Sequence, residues 1–250
     1  RRSAFALAFL DYNVLASGAI NGDSQMLWVR SVVNRARKLA PFLDYDGDPY
    51  PVVVDGGVQW VIDAYTSTSR YPYAQRIGNV QLTDSSALSR DSNYIRNSVK
   101  VVVDAYTGEV TFYVVDPDDP IVRAWSKAFP DLFTARESMP AELSAHLRYP
   151  EDLFRVQTDL YSKYQVPATD FFQRRGAWSI AQAPSVLPIE VGGSSAGATV
   201  VDPTAPSEFA TESNADRFIP YYTLFEDPDG VEQFVMLRPF VRFSPDDGST

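Results

Sequence analysis

Cysteine is absent and histidine occurs once. The first absence excludes disulfides, thiol catalysis and zinc–thiolate sites. The second excludes any site that needs two imidazoles from this chain. No apolar run approaches the roughly 18 residues that span a bilayer; the longest near the start is Ala4 to Leu10. There is no Gly-x-Ser-x-Gly elbow, and the glycine-rich stretch Val191 to Gly197 is not followed by the Lys of a phosphate-binding loop. Positive charge is also short. Lys and Arg number 22 against 32 Asp and Glu, a net charge of −10, which argues against a nucleic-acid partner. It argues equally against broad docking on anionic lipid, while leaving room for a local basic patch. The chain begins Arg1-Arg2 without an initiator Met or a signal-peptide pattern and reads as a piece of something longer.

What is present is a pattern of hairpins. Val99 to Asp116 alternates as a strand, with Val99, Val101 and Val103 on one side and Lys100, Val102 and Asp104 on the other. It turns at Thr107-Gly108-Glu109 and returns through the β-branched and aromatic Val110 to Val115. Val58 to Thr66 repeats the first arm at an offset of 41, with Asp63/Asp104, Ala64/Ala105, Tyr65/Tyr106 and Thr66/Thr107 identical. The flanks differ, so the pair is one strand solution used twice rather than a repeat array. Val52 to Val54, Asp55-Gly56-Gly57 and Val58 to Thr66 form another hairpin. Phe218 to Phe225 and Val231 to Phe240 form a last one across Asp227 to Gly230, apolar enough to rejoin the sheet.

Helices are expected around this frame. Arg2 to Ser17 carries a wide apolar surface that calls for burial on more than one side. A second helix starts at Asn21 or Asp23 and runs to about Ala40, with Met26, Val29, Val33, Ala36 and Ala40 as its core stripe. Its Arg30, Arg35, Arg37 and Lys38 form a basic face, either solvated or turned toward anionic headgroups or an acidic partner. Asp119 and Pro120 read as N-cap and first residue of a helix to about Phe129. Pro140 and Pro150 open two more, the last with a stripe of Leu153, Val156, Leu160 and Tyr164. Residues 183–216 are rich in Pro, Ser, Ala, Gly and Thr, lack Lys and Arg, and read as a low-complexity loop. The fold class is α+β: a mainly antiparallel sheet of hairpins with helices packed on one face. The chain is expected to be one domain, with a helical start over 1–40, an α+β core over 41–182, the loop over 183–216 and a returning hairpin over 217–243.

Several long blocks carry a family resemblance. They are Ala40 to Gly56, Trp60 to Gln75, Asn93 to Phe133 and Met139 to Gln157, with weaker support from the first forty residues and Ile219 to Phe240. In this order they resemble uncharacterised protein family 0182, polytopic membrane proteins of bacteria with a large soluble domain. The resemblance implies an extracytoplasmic domain at the cell membrane, joined to spanning helices outside this chain. It supplies no catalytic residue.

Candidate chemistry comes from acidic and aromatic side chains. If the twin strands are neighbours, Asp63, Tyr65, Asp104 and Tyr106 share a face, where two carboxylates and two tyrosines would suit glycan binding or acid–base work on a glycan. The competing expectation is a polar outer face of a half-covered sheet. Tyr71 and Tyr73 sit in the long connection Ser67 to Asn93 and extend the candidate aromatic surface. Asp44, Asp46, Asp48 and Asp55 superficially match a calcium loop, but Pro49 stands where the sharp-turn Gly belongs and Asp55 where a bidentate Glu belongs. His146, beside Arg148 and Glu151, is expected to be a hydrogen-bonded anchor. Calcium is thus the one cofactor considered. The leading expectation is a non-catalytic module binding an envelope glycan, lipid or protein. The alternative is a carboxylate-dependent hydrolase or transferase acting on envelope glycan or lipid.

Overall fold

The structure is a computed structural model, and it describes residues 2–21, 24, 28–171, 178–182 and 217–242. Its frame is a six-stranded sheet. Strands β1 (Asp44–Tyr45) and β2 (Tyr50–Val54) both pair with one side of β3 (Gly57–Thr68); β4 (Tyr94–Asp104), β5 (Val110–Val114) and β6 (Phe133–Ala135) follow in order. Every pairing is antiparallel except β5 with β6. The β2–β3 hairpin turns at Asp55 and Gly56, both at positive φ (50° and 73°), the backbone that a tight hairpin between twisted strands requires. The α+β class and the first two hairpins are as expected.

Helices cover both faces of this sheet rather than one. On one side Ile62, Val99, Val101 and Val103 pack with Ala36 of α3 (Val32–Leu39) and Val122 of α4 (Pro120–Ala128). On the other, Val61 and Val102 pack with Tyr50, Met139 and Leu143, the last from α5 (Ala141–Ala145). Tyr65 continues that second side against Ile77, Val80 and Leu88 of the long connection and Val156 of α6 (Glu151–Tyr164). The central strands therefore bury both sets of alternating side chains, which is why they read as nearly continuous valine.

Other expectations need correction. The first helix stops early: α1 spans Arg2–Phe9, Leu10 takes φ 52°, and α2 restarts at Asn13–Ala16. The second begins at Val32 on the side-chain cap of Ser31, not at Asn21 or Asp23; Asp23 and Met26 lie outside the described residues. Arg35 leaves the supposed basic face, donating to the carbonyls of Val29 and Gly108 and tying α3 to the β4–β5 turn. On α6 the expected Leu153, Val156 and Leu160 do pack against the core, but Tyr164 is exposed and the helix also buries Asp152, Arg155, Thr158, Asp159 and Ser162. The helix faces two loops whose carbonyls and amides need partners, and Asp152 and Arg155 satisfy the Gly47 and Thr83 amides and the Gln81 carbonyl beside the apolar stripe. The last hairpin, β8 (Tyr221–Glu226) and β9 (Glu232–Leu237), makes its own two-stranded sheet, because the central strands already have β1, β2 and β6 beside them. A second small sheet joins β7 (Trp178–Ile180) to β10 (Phe240–Arg242), next to an isolated bridge between Gln182 and Arg217. The expected loop over 183–216 lies outside the described residues.

Two buried aspartates hold the layers together. Asp119 caps α4 as expected, accepting from the N–H groups of Ile121 and Val122, and also accepts from the hydroxyls of Thr66, Tyr94 and Ser98. Burial opposes its charge, but these donors outweigh it and hold the carboxyl below the usual range. Asp152 accepts from the Thr83 N–H and hydroxyl and from the Gly47 N–H, stitching α6 to the β1–β2 turn. Gly47 lies so close that a Cβ there would stand 1.9 Å from Thr83 Oγ1 and 2.9 Å from the Ser86 amide. Gly47→Ala is therefore expected to lower stability by about 1–3 kcal/mol, read as a lower urea midpoint at unchanged slope. An unchanged midpoint would mean that the Thr83 loop yields freely.

Candidate functional site

The sequence-derived candidates do not converge. β3 and β4 are neighbours, but antiparallel: Asp63 lies opposite Lys100, and Asp104 opposite Gln59. Both carboxylates keep the same face, yet four residues of strand separate them, about 13 Å at ~3.3 Å per residue. Asp63 is buried in an ion pair with Lys100. Asp104 accepts from the N–H groups of Tyr106 and Thr107 in the turn, which holds its carboxyl low. Tyr65 is buried, its hydroxyl donating to Asp46. Tyr106 is exposed in the turn, Tyr71 stacks on Tyr94 at 5.7 Å, and Tyr73 is fully exposed at φ 58°.

The four aspartates considered for calcium are equally dispersed in role. Asp44 accepts from Ser67, Asp46 from Tyr65 and from the N–H groups of Asp48 and Asp152, and Asp55 sits in the hairpin turn with its N–H on Glu142. Among the described residues no group of three or more His, Cys, Asp or Glu is placed to hold a metal ion. His146 donates from Nδ1 to the Glu142 carbonyl at the end of α5, which matches an anchor.

What the fold does assemble is a basic cleft of about 520 Å³ between the ends of β4 and β5 and the segment leading into α6. Its wall carries Arg96, Lys100, Arg136 and Arg148 against a single carboxylate, Asp116. Asn97 and Gln157 add amide groups. Each cation has a definite setting. Arg96 pairs with Asp116 at 2.7 Å. Lys100, 5 % exposed, donates to Asp63 behind the cleft and to the Arg148 carbonyl at 2.8 Å. The Arg136 guanidinium, which is exposed, makes no hydrogen bond or ion pair among the described residues.

Arg148 is the most constrained of the four. Its N–H donates to the Tyr50 hydroxyl at 3.0 Å, and its carbonyl accepts from Lys100. Its guanidinium lies 4.4 Å from the Tyr50 ring centre, 5.2 Å from Tyr222 and 5.7 Å from Phe234. Cation–π contacts of this kind use none of the guanidinium N–H groups as hydrogen-bond donors to oxygen, and the Arg148 guanidinium makes no hydrogen bond among the described residues. The β8–β9 hairpin thus buttresses the cleft, with the Tyr222 hydroxyl also donating to the Tyr149 carbonyl at 2.9 Å. Arg148 makes no ion pair among the described residues.

A β-bulge sets the mouth of this cleft. Ala64 pairs with Val99, but Thr66 pairs with Arg96, so β4 holds one extra residue at Asn97-Ser98. Plain alternation would put Ser98 beside Lys100. Instead Ser98 reaches Asp119 under α4, and Asn97 joins Lys100 in the cleft wall. Sequence reasoning missed the cleft because its cations are spread from Arg96 to Arg148. The one available signal was Lys100, a charge in the middle of an otherwise apolar strand.

The chain has clear relatives. It is 37% identical over 243 residues to a UPF0182 protein of Methanospirillum hungatei, covering 96% of this chain and 23% of the relative. It is 46% identical over 195 residues to one of Salinispora arenicola, covering 74% and 20%. It is 38% identical over 253 residues to one of Frankia alni, covering 95% and 25%. The chain thus spans a quarter or less of the length of these relatives. No solved structure matches it. Among the described residues no helix is long and apolar enough to cross a membrane. The family model for the uncharacterised protein family UPF0182 matches residues 1–246, and the chain belongs to that family.

Proposed function

We propose that this domain is a non-catalytic binding module on the extracytoplasmic side of a membrane protein, and that its cleft receives an anionic envelope component. The observation that carries this reading is the set of four cationic side chains around one cleft in a protein of net charge −10. A solvated surface of this composition would be acidic on average; here the fold gathers Arg136 and Arg148 without a carboxylate for either among the described residues. Arg148 is held at its N–H and its carbonyl, and its guanidinium packs near three aromatic rings, so little ordering remains to be done when an anion arrives. Planar guanidinium edges match phosphate or carboxylate oxygens in pairs. The hydrolase or transferase alternative relies on two cooperating carboxylates, and Asp63 and Asp104 face different tasks far apart.

Titration with inorganic phosphate and with glucuronate, followed by amide chemical shifts, tests the reading. Binding of at least one probe is expected, centred on Arg148, and Arg136→Ala and Arg148→Ala are each expected to weaken it about tenfold, the worth of a charge-assisted hydrogen bond. No shift with either probe, or shifts that both variants leave intact, would remove the cleft from consideration.

A further inference from the structure

The positive charge of this chain is unevenly distributed. Residues 1–40 hold six Arg and Lys against two Asp, whereas the other 210 residues hold sixteen against thirty. The same region exposes its apolar side chains. Leu7 is 77%, Leu10 89% and Tyr12 77% exposed, on and just past α1. The same helix is anchored on aromatic rings: Phe5 and Phe9 pack at a tilt against Trp28, at 5.5 and 5.0 Å between ring centres, and Trp28 is itself half exposed. Trp28 in turn borders a shallow hollow with Arg30, Arg37 and Lys38, so the aromatic side of α1 meets the basic side of α3 at Trp28. This surface shares no residue with the cleft.

We propose that this surface docks on an anionic lipid bilayer, with Leu7, Leu10 and Tyr12 entering the headgroup region and Arg30, Arg37 and Lys38 resting on the lipid phosphates. The combination is what selects this occupant. An apolar helix alone would suit a protein groove, and a basic face alone would suit any acidic surface. Exposed leucine and tyrosine on and just past a helix that packs, through Phe5 and Phe9, on a half-exposed Trp bordered by Arg and Lys match the layered chemistry of a membrane interface. The acidic remainder of the chain is repelled by the same surface, which orients the domain with residues 1–40 toward lipid and the rest away.

Sedimentation of the 250-residue chain with vesicles tests this directly. Binding to phosphatidylcholine vesicles should rise about tenfold or more when phosphatidylglycerol reaches a substantial fraction, and fall again in high salt. Leu7→Ser with Leu10→Ser, and separately Arg37→Gln with Lys38→Gln, should each abolish most of that binding while the chain stays folded by circular dichroism, because all four side chains are exposed. Arg136→Ala with Arg148→Ala should leave it unchanged; loss there would assign the lipid contact to the cleft and overturn this proposal while supporting the other. Absence of wild-type binding at low salt would overturn it. So would concentration-dependent self-association relieved by the serine variant, which would assign the apolar face to a second copy of the chain.

Discussion

Lys100→Met is expected to lower folding stability by about 3–5 kcal/mol. The side chain is 6% exposed and its partner Asp63 only 3%, so its removal leaves a buried carboxyl with no cation beside it. Burial already pushes the Asp63 carboxyl up, and Lys100 is the main influence pulling it back. Two further outcomes separate this explanation from simple loss of packing. The double variant Asp63→Leu, Lys100→Met should recover most of the loss, since replacing both charges removes the unpaired group. The cost of the single variant should also shrink below neutral pH, because the orphaned carboxyl can take a proton. Urea unfolding of the three variants at pH 5 and pH 8 measures all of this. A single variant near wild type, or a double variant no better than the single, would mean that the pair carries no such weight. The same substitution removes the donor to the Arg148 carbonyl, so phosphate binding should weaken even under conditions where the variant is folded.

Asp46 sets the second large expectation. Its carboxyl is pushed up to about 7, first by burial and then by the nearby charge of Asp152, with the Tyr65 hydrogen bond opposing. The folded state thus holds a proton that the unfolded state releases near pH 4. Stability from this group is fully present below the unfolded value and is lost as pH rises through about 7. The loss across that window is roughly 2–4 kcal/mol. Asp44 and Asp63 are shifted in the same direction and add to the slope. Asp104 and Asp119 are shifted down, and their contribution is lost only in acid, below the ordinary carboxylate range. The urea midpoint should therefore be higher at pH 5 than at pH 8, and Asp46→Asn should remove a large part of that difference. A wild-type midpoint that is flat from pH 5 to pH 8 would refute the assignment.

The parts of this fold legible in the chain were those written in local chemistry. Asp55-Gly56 and Gly108 mark turns because their backbone needs positive φ. Asp119-Pro120 marks a helix start because the pair satisfies orphan N–H groups and suits the first helical turn. The twin strands were legible as strands, and their register was not. Matching Asp63 with Asp104 by sequence amounts to laying the strands side by side in one direction, whereas a hairpin-rich sheet pairs them head to tail and brings Asp63 to Lys100. The extra residue at Asn97-Ser98 leaves no pattern in a run of polar side chains, yet it decides which of them faces the cleft. The cleft itself depends on contacts between residues 52 positions apart in the chain, from Arg96 to Arg148, which no local rule reaches.

The bridge between Gln182 and Arg217 has a consequence for tolerance to change of length. It sets Gln182 and Arg217, 35 positions apart in the chain, opposite each other in an antiparallel pairing. The entropic cost of bringing two such positions together grows only with the logarithm of the number of residues between them, about 0.6 kcal/mol for each doubling. A change in the number of residues between Gln182 and Arg217 is therefore expected to weaken their pairing by only a fraction of a kcal/mol, so that chain length between them is a permissive variable for this fold.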